Sequence, residues 1–327
     1  MKIAVIFPGG IFSAWGVSDG IPRTFRAMGH EVLDFPRARY GQPELSLEAL
    51  NSCNLIVLSG LEHLLVNEIF GFLDEITQYE WWNEIKVPRA AWYHESAFRE
   101  DWSFGTNFDA FRRMADVHFF PAIQDAEFFD ADDKAKGHSH WLPFGADTEV
   151  FKPADTKQDV DVGFVGTLYP KRQEYLRKLQ PHCRSWGLLC GGVQVRDITG
   201  TDPEATVLRL AENYRRIKVN INLPHLSRLV VTKVYEIMGC QGFLLTPWLG
   251  ESEASPNMQQ FEHMKHFCYY KVDEYRELSR AVEHYLAYPE DRAAIAEAGM
   301  KEVHAKHRQD QRLAEMLEKM GLKEALQ

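Results

Sequence analysis

RLVVTKVYEIMGCQGFLLTP, Arg228 to Pro247, runs from a charged helical segment into a buried strand through glycines. At about 100° per residue, Val230, Val234, Ile237 and Met238 share one side of a helix, while Thr232, Lys233 and Glu236 fall in a narrow arc opposite. One side packs, and the other is expected to face a cleft. Gly239 and Gly242 end the helix, and Phe243-Leu244-Leu245-Thr246 reads as a short strand buried on both faces. A cation and a carboxylate one turn apart, beside a glycine-rich turn, suit a diphosphate and a ribose hydroxyl. Taken alone, the helix fits a surface ion pair at i, i+3 equally well, a pair worth about 0.2–0.5 kcal/mol.

Outward from this stretch, apolar segments alternate with amphipathic ones. KIAVIF, EVLDF, NLIVLSG, PRAAWY and DVHFFP read as strands over residues 1 to about 145, with a helical pattern from Leu61 to Tyr79 between the third and fourth. The pattern restarts at DVGFVGT and continues through WGLLCGG, IKVNINL, GFLLTP and HFCYY, with helices at about 171–182, 203–214, 228–239 and 273–288. Such alternation predicts an α/β protein of two Rossmann-like units, each a parallel sheet wrapped by helices. Pro143 and Pro153 bracket the connection. The boundaries are set at 1–150, 151–303 and a C-terminal helical segment, 304–327, whose apolar positions Leu313, Met316, Leu317 and Met320 mark a packing face.

A chain of 327 residues with 45% hydrophobic and 26% charged residues fills two ordinary cores. No apolar run reaches the roughly 18 residues that span a bilayer, and a cytoplasmic location is expected. Five cysteines, odd in number and without a C-x-x-C pair, indicate neither a disulfide framework nor a structural zinc site. A formal charge of −10 argues against a partner held mainly by counterion release from phosphates.

GFVGTLYPKR places a buried strand before a Gly166-Thr167 turn and a helix opening near Pro170. Backbone N–H groups of such a turn approach phosphate oxygens, and the helix N-terminus adds positive potential. The G-x-G-x-x-G fingerprint of hydride-transfer enzymes is missing. Chain reversal alone also accounts for a glycine here. Lys171 and Arg172 in the first turn oppose the helix dipole unless an anion is bound.

The opening segment resembles the ribose-binding helix of GT-B glycosyltransferases, most closely the CgeB-like group. HWLPFGADTEVFKP (His140 to Pro153), DVGFVGTLYPKRQEYL (Asp159 to Leu176) and a tail from Phe261 to Arg312 containing YPEDRAAIAEAG agree in order, so the resemblance covers most of the chain after about residue 138. It implies two Rossmann-like domains facing across a cleft, the first for the acceptor and the second for a nucleotide sugar. It also implies a last helix that crosses back onto the N-terminal domain, a simple C-terminal cap being the alternative. Glu236 then matches the carboxylate that binds the ribose hydroxyls, and Lys233 a basic position near the diphosphate. The E-x7-E motif of many retaining members is broken, because its first acid is replaced by Arg228, which either meets phosphate or caps the helix. Pro256-Asn257-Met258-Gln259 lies where related enzymes bind the donor sugar or its phosphates.

The resemblance implies transfer of a sugar from a nucleoside diphosphate, UDP-linked, to an acceptor hydroxyl, with no metal and no cofactor beyond the donor. The acceptor is a glycan, a small molecule or modified DNA. A base is expected at the C-terminal ends of N-domain strands. WYHES offers His94 and Glu95 there, and PGGIFSAWGVSD offers Asp19, which equally suits a helix cap. The aromatic cluster Trp81, Trp82, Trp92, Trp102 and Phe104 suits core packing better than stacking on a ligand. Glycosylation of hydroxymethylated phage DNA would need a basic face from Arg23, Arg26, Arg37, Arg39, Arg112 and Arg113. A catalytically silent nucleotide-sugar-binding protein would explain the lost acid at Arg228.

Overall fold

The computed structural model describes residues 1–7, 17–36, 45–61, 80–96, 112–131, 137–166, 168–183, 187–191, 203–224, 229–250 and 255–322. The chain forms two compact units. The first comprises Met1–Phe144, Ser227–Leu229 and Gln309–Gln327; the second comprises Gly145–Leu226 and Val230–Arg308. The sequence reading set the corresponding boundaries at 150/151 and 303/304.

Unit 1 carries strands β1 (Lys2–Phe7), β2 (Glu31–Pro36), β3 (Leu55–Ser59), β4 (Arg89–Trp92), β5 (Val117–Phe120) and β6 (Ser139–Trp141), in the order β2-β1-β3-β4-β5-β6. Every pairing is parallel. Helices α1 (Val17–Ala27), α2 (Leu47–Asn51) and α3 (Ile123–Asp130) intervene. Ile3 to Ile6 and Leu55 to Leu58 are completely buried, which is why these strands show as unbroken apolar runs. The three-residue β6, hidden in the segment around His140, was not predicted. The Leu61–Tyr79 helical pattern lies almost wholly outside the described residues.

Unit 2 carries β7 (Val160–Val165), β8 (Leu188–Gly191), β9 (Ile217–Ile221), β10 (Leu244–Pro247) and β11 (Cys268–Tyr270), ordered β11-β10-β9-β7-β8 and again parallel throughout. Its helices are α4 (Pro170–Leu179), α5 (Pro203–Arg216), α6 (Thr232–Gly239), α7 (Pro256–Gln259), α8 (Tyr275–Ala287) and α9 (Pro289–Lys306). In both sheets the first strand lies between the second and the third. The direction of winding therefore reverses between β1 and β3 and between β7 and β9, and a ligand crevice opens beyond the carboxyl ends of the strands at such a reversal.

The tail differs from the single helical segment expected over 304–327. The α9 helix ends at Lys306, and a separate helix, α10 (Gln309–Lys319), belongs to unit 1. The break has a local cause: Ala146 donates its N–H to the His307 carbonyl at 2.9 Å and bridges Arg308, so these residues are drawn out of helical geometry. Gly145 admits this pairing, since a β-carbon there would stand 2.8 Å from the Arg308 backbone. The α10 helix buries Leu313, Met316 and Leu317, packs on α1, and accepts the Thr24 hydroxyl on Gln309 Oε1 at 3.1 Å.

Candidate active site

At the reversal point of unit 2, β7 ends in Val165 and Gly166, and α4 follows. Tyr169 precedes α4 without a side-chain cap, Pro170 occupies the first turn, and no acid stands there. The N-terminus of α6 likewise has no side-chain cap and no acid in its first turn. Among the described residues, neither helix start therefore has a side-chain cap or an acid to offset its positive dipole end.

Lys233 lies in the first turn of α6. Its ammonium rests 4.2 Å from the centroid of the Phe164 ring, and a β-carbon on Gly166 would stand only 2.5 Å from Nζ. Glycine at 166 is therefore a matter of space for the lysine. Lys233 is 9% exposed, and among the described residues its ammonium has no hydrogen-bond acceptor. Burial, with the Arg172 guanidinium second, holds its pKa well below the ordinary lysine value, against the pull of Glu236. Arg172 is buried too. Its Nε donates to the Pro224 carbonyl at 3.2 Å, and its guanidinium lies over Phe164 and Tyr169, 5.1 and 4.4 Å from the ring centroids. Tyr169 donates to the same carbonyl at 2.8 Å. Lys171 is exposed on α4.

Glu236 follows one turn after Lys233 and is 3% exposed. Its Oε2 accepts the Tyr214 hydroxyl at 3.1 Å, and Oε1 takes no hydrogen bond from any described residue. Burial pushes the carboxyl up to about 8, opposed by the Tyr214 hydrogen bond and by Lys233. Every residue of α6 from Lys233 to Gly239 is buried and Thr232 at its start is half-buried; on the polar side Phe164 lies against Lys233 and Tyr214 against Glu236. This also removes the surface ion pair as an explanation, since neither partner is at the surface.

The structure brings together Gly166, Arg172, Lys233 and Glu236. Thr167 and Arg228 lie outside the described residues. Pro256 to Gln259 form one helical turn in which Asn257 is buried; Gln260, just beyond, accepts the Tyr235 hydroxyl of α6. Sequence reasoning missed Phe164, Tyr169 and Tyr214. The first two stand in the quoted GFVGTLYPKR segment and signal only as aromatics flanking the turn, whereas Tyr214 lies 22 residues from its partner and carries no motif.

In unit 1, His94 and Glu95 follow β4, both half-buried. His94 Nε2 lies 3.1 Å from Ser59 Oγ at the end of β3, and its ring meets Trp92 and Phe144 edge-on at 6.3 and 6.0 Å. Around this turn, Tyr93 pairs with His118 in the core at 3.0 Å and Ser96 donates to Asp125 at 3.0 Å. Asp19 stands third in α1, inside the helix and not at its cap; its side chain is not among those described. Trp82 and Trp92 are buried, as core residues should be, while the side chain of Trp81 and residues 102 and 104 lie outside the description. Of the arginines considered for a basic face, Arg26 is engaged by Asp34 at 2.8 Å, and Arg37 and Arg39 lie outside the described residues. Among the described residues no group of three His, Cys, Asp or Glu is placed to hold a metal ion, and no helix is long and apolar enough to cross a membrane.

Comparison with known proteins agrees with this architecture. No curated protein matches the sequence. Among solved structures, sucrose-phosphate synthase from Thermosynechococcus elongatus superposes with a TM-score of 0.68 at 14% identity over 100% of both chains. Anabaena Alr3699/HepE in complex with UDP-glucose gives 0.63 at 15% identity, over 97% of this chain and 99% of that one. An alpha-glucosyltransferase in complex with UDP and a DNA containing an HMU base gives 0.69 at 12% identity, over 98% and 99%. The family model described as glycosyl transferase-like matches residues 149–318, more than half of the chain. The chain therefore belongs to the glycosyl transferase-like family and is a glycosyltransferase of the GT-B fold.

Proposed function

We propose that the chain transfers a sugar from a nucleoside-diphosphate sugar, UDP-linked, to an acceptor hydroxyl. The observation that carries this reading is the buried Lys233 ammonium, which has no acceptor among the described residues and sits against Gly166. A buried cation of that kind is costly unless an anion joins it, and a diphosphate brings the charge and the oxygens. Glu236, one turn further on, offers Oε1 to hydroxyls; that turn is about 5 Å along the axis, comparable to the reach from a diphosphate to a ribose diol. The UDP and UDP-glucose complexes of the structural neighbours favour uracil.

In the transfer, the acceptor oxygen bonds to the anomeric carbon as the bond from that carbon to the diphosphate breaks. The electron pair leaves on the diphosphate, where Lys233 and the positive end of the α4 dipole meet the growing charge. The acceptor proton passes to a base, proposed among His94, Glu95 and Asp19, and the acceptor is a glycan, a small molecule or modified DNA. Lys171, Thr167 and Arg228 are assigned to the phosphates with Lys233. Because the leaving charge is met by the protein, turnover is expected to survive chelation by EDTA unchanged. Free thiols at Cys53, Cys183, Cys240 and Cys268 support a reducing compartment, the cytoplasm.

Calorimetric titration with UDP and with uridine tests the reading. UDP is expected to bind far more tightly, and Lys233→Ala to remove most of that difference. Equal affinity for the two ligands in the wild type would overturn the diphosphate assignment.

A further inference from the structure

Tyr214 lies on α5, 1% exposed, and its hydroxyl is the only described donor to the Glu236 carboxylate. Its main chain is fixed independently, because the Tyr214 carbonyl accepts Asn220 Nδ2 at 3.2 Å, and Asn220 in turn gives its N–H to the Phe243 carbonyl at 3.0 Å. Its ring is held beside Phe151, with centroids 6.3 Å apart. The phenol is thus a rigid arm reaching from α5 to α6. It occupies Oε2 and leaves Oε1 as the oxygen open to a ligand.

We propose that Tyr214 is a positioning residue of the nucleotide site: by holding Oε2 of Glu236 it fixes the carboxylate so that Oε1 meets a vicinal diol, and so sets the preference for ribonucleotides over their deoxy counterparts. The inference deepens the donor reading above and rests on it. A glutamate on a helix has three side-chain torsions, and burial restricts but does not select among the orientations of its carboxyl. A hydrogen bond from a fixed phenol selects one. The same bond favours the ionised carboxylate over the acid, opposing burial. Its removal therefore has two separable consequences, one seen with ligand and one without.

The test uses Tyr214→Phe, which keeps the ring and loses only the hydroxyl. Affinities for UDP and for 2′,3′-dideoxy-UDP are measured by calorimetry on the wild type and the variant. The wild type is expected to prefer UDP by tenfold or more, and Tyr214→Phe to lose roughly tenfold in UDP affinity while binding the dideoxy analogue within about twofold of wild type. Equal losses for both ligands, or none, would overturn the role of Tyr214 and leave the donor site standing. A wild type that binds both ligands alike would overturn the diol contact of Glu236 and this inference while leaving the diphosphate reading standing; a wild type that binds neither would overturn the donor reading and this inference together. Without ligand, the Glu236 carboxyl is followed by carbon NMR of labelled glutamate, its signal assigned by its loss in Glu236→Gln. In Tyr214→Phe its titration is expected to move further upward. An unmoved titration means that the hydroxyl does not hold the carboxylate, and the proposal falls whatever the ligands do.

Discussion

Lys233 and Glu236 are each disfavoured in their charged forms by burial, and each is relieved by something that carries the complementary chemistry. The sign of the resulting pH dependence follows directly. Folded Glu236 keeps its proton up to about pH 8, whereas an unfolded glutamate releases it near 4.5. Its raised folded pKa makes a contribution to stability that is fully present below about 4.5 and is lost as pH rises through 8. Glu236→Gln keeps an acceptor for Tyr214 and never ionises. Relative to the wild type it is expected to gain roughly 2–4 kcal/mol between pH 5 and pH 9, read from denaturant midpoints at the two values. A constant difference across that range would show that the carboxyl is not protonated in the fold. Lys233 has the opposite shape: its depressed folded pKa penalises the fold as pH falls from 10.5 towards the lowered value. Replacing this buried cation by Lys233→Met should raise the stability of the ligand-free protein at neutral pH by about 1–3 kcal/mol while removing most of the affinity for UDP. A destabilised variant would mean that the ammonium has an acceptor in solution.

At the scale of elements, the packing of α6 decides whether those two side chains stay where they are. Helix α9 lies against α6, and Gly299 stands where space is tight: a β-carbon there would come within 2.4 Å of the His266 carbonyl and 3.2 Å of Met238 Sδ on α6. Alanine is the better helix former by about 1 kcal/mol, but a clash with a backbone oxygen cannot be relieved by rotating a side chain, and overpacking costs about 1–3 kcal/mol. Gly299→Ala is therefore expected to lower the melting temperature and, by displacing α6, to weaken UDP binding. A higher melting temperature would show that α9 can move away freely. The strands were legible because a parallel strand buried on both faces is written as an apolar run, as in KIAVIF and NLIVLSG. Helix α6 was legible in type but not in surroundings. A helical wheel sorts residues by polarity but names no neighbours, so it could not show that Phe164 packs on Lys233 and Tyr214 on Glu236. The C-terminus of α6 was also read too simply: Gln241, not glycine, takes the left-handed conformation (φ 59°), while Gly239 and Gly242 are required by close approach to the Phe151 carbonyl and to Ile237.

At the scale of the whole molecule, the two units repeat one strand order, and the candidate residues of each gather at the carboxyl ends of its own strands. The anion-seeking features, Lys233, Arg172 and the uncapped starts of α4 and α6, belong to unit 2, whereas His94, Glu95 and Ser59 belong to unit 1. This division predicts that substitutions separate by unit in their kinetic effects. His94→Gln and Glu95→Gln are expected to leave UDP affinity within about twofold of wild type, and the one that serves as the base should lower turnover by roughly 10² to 10⁴. Ser59→Ala removes the hydroxyl beside His94 Nε2, so if His94 is the base it should lower turnover without changing UDP affinity. Asp19→Asn is expected to keep turnover if Asp19 only serves the first turn of α1. Activity lost in Asp19→Asn and retained in both His94→Gln and Glu95→Gln would move the base to the loop after β1. Full activity in all three would place acceptor activation outside these turns altogether. Lys233→Ala and Glu236→Gln should instead weaken UDP binding, because their partners are on the nucleotide; a normal UDP affinity in both would break the division of labour that the repeated topology implies.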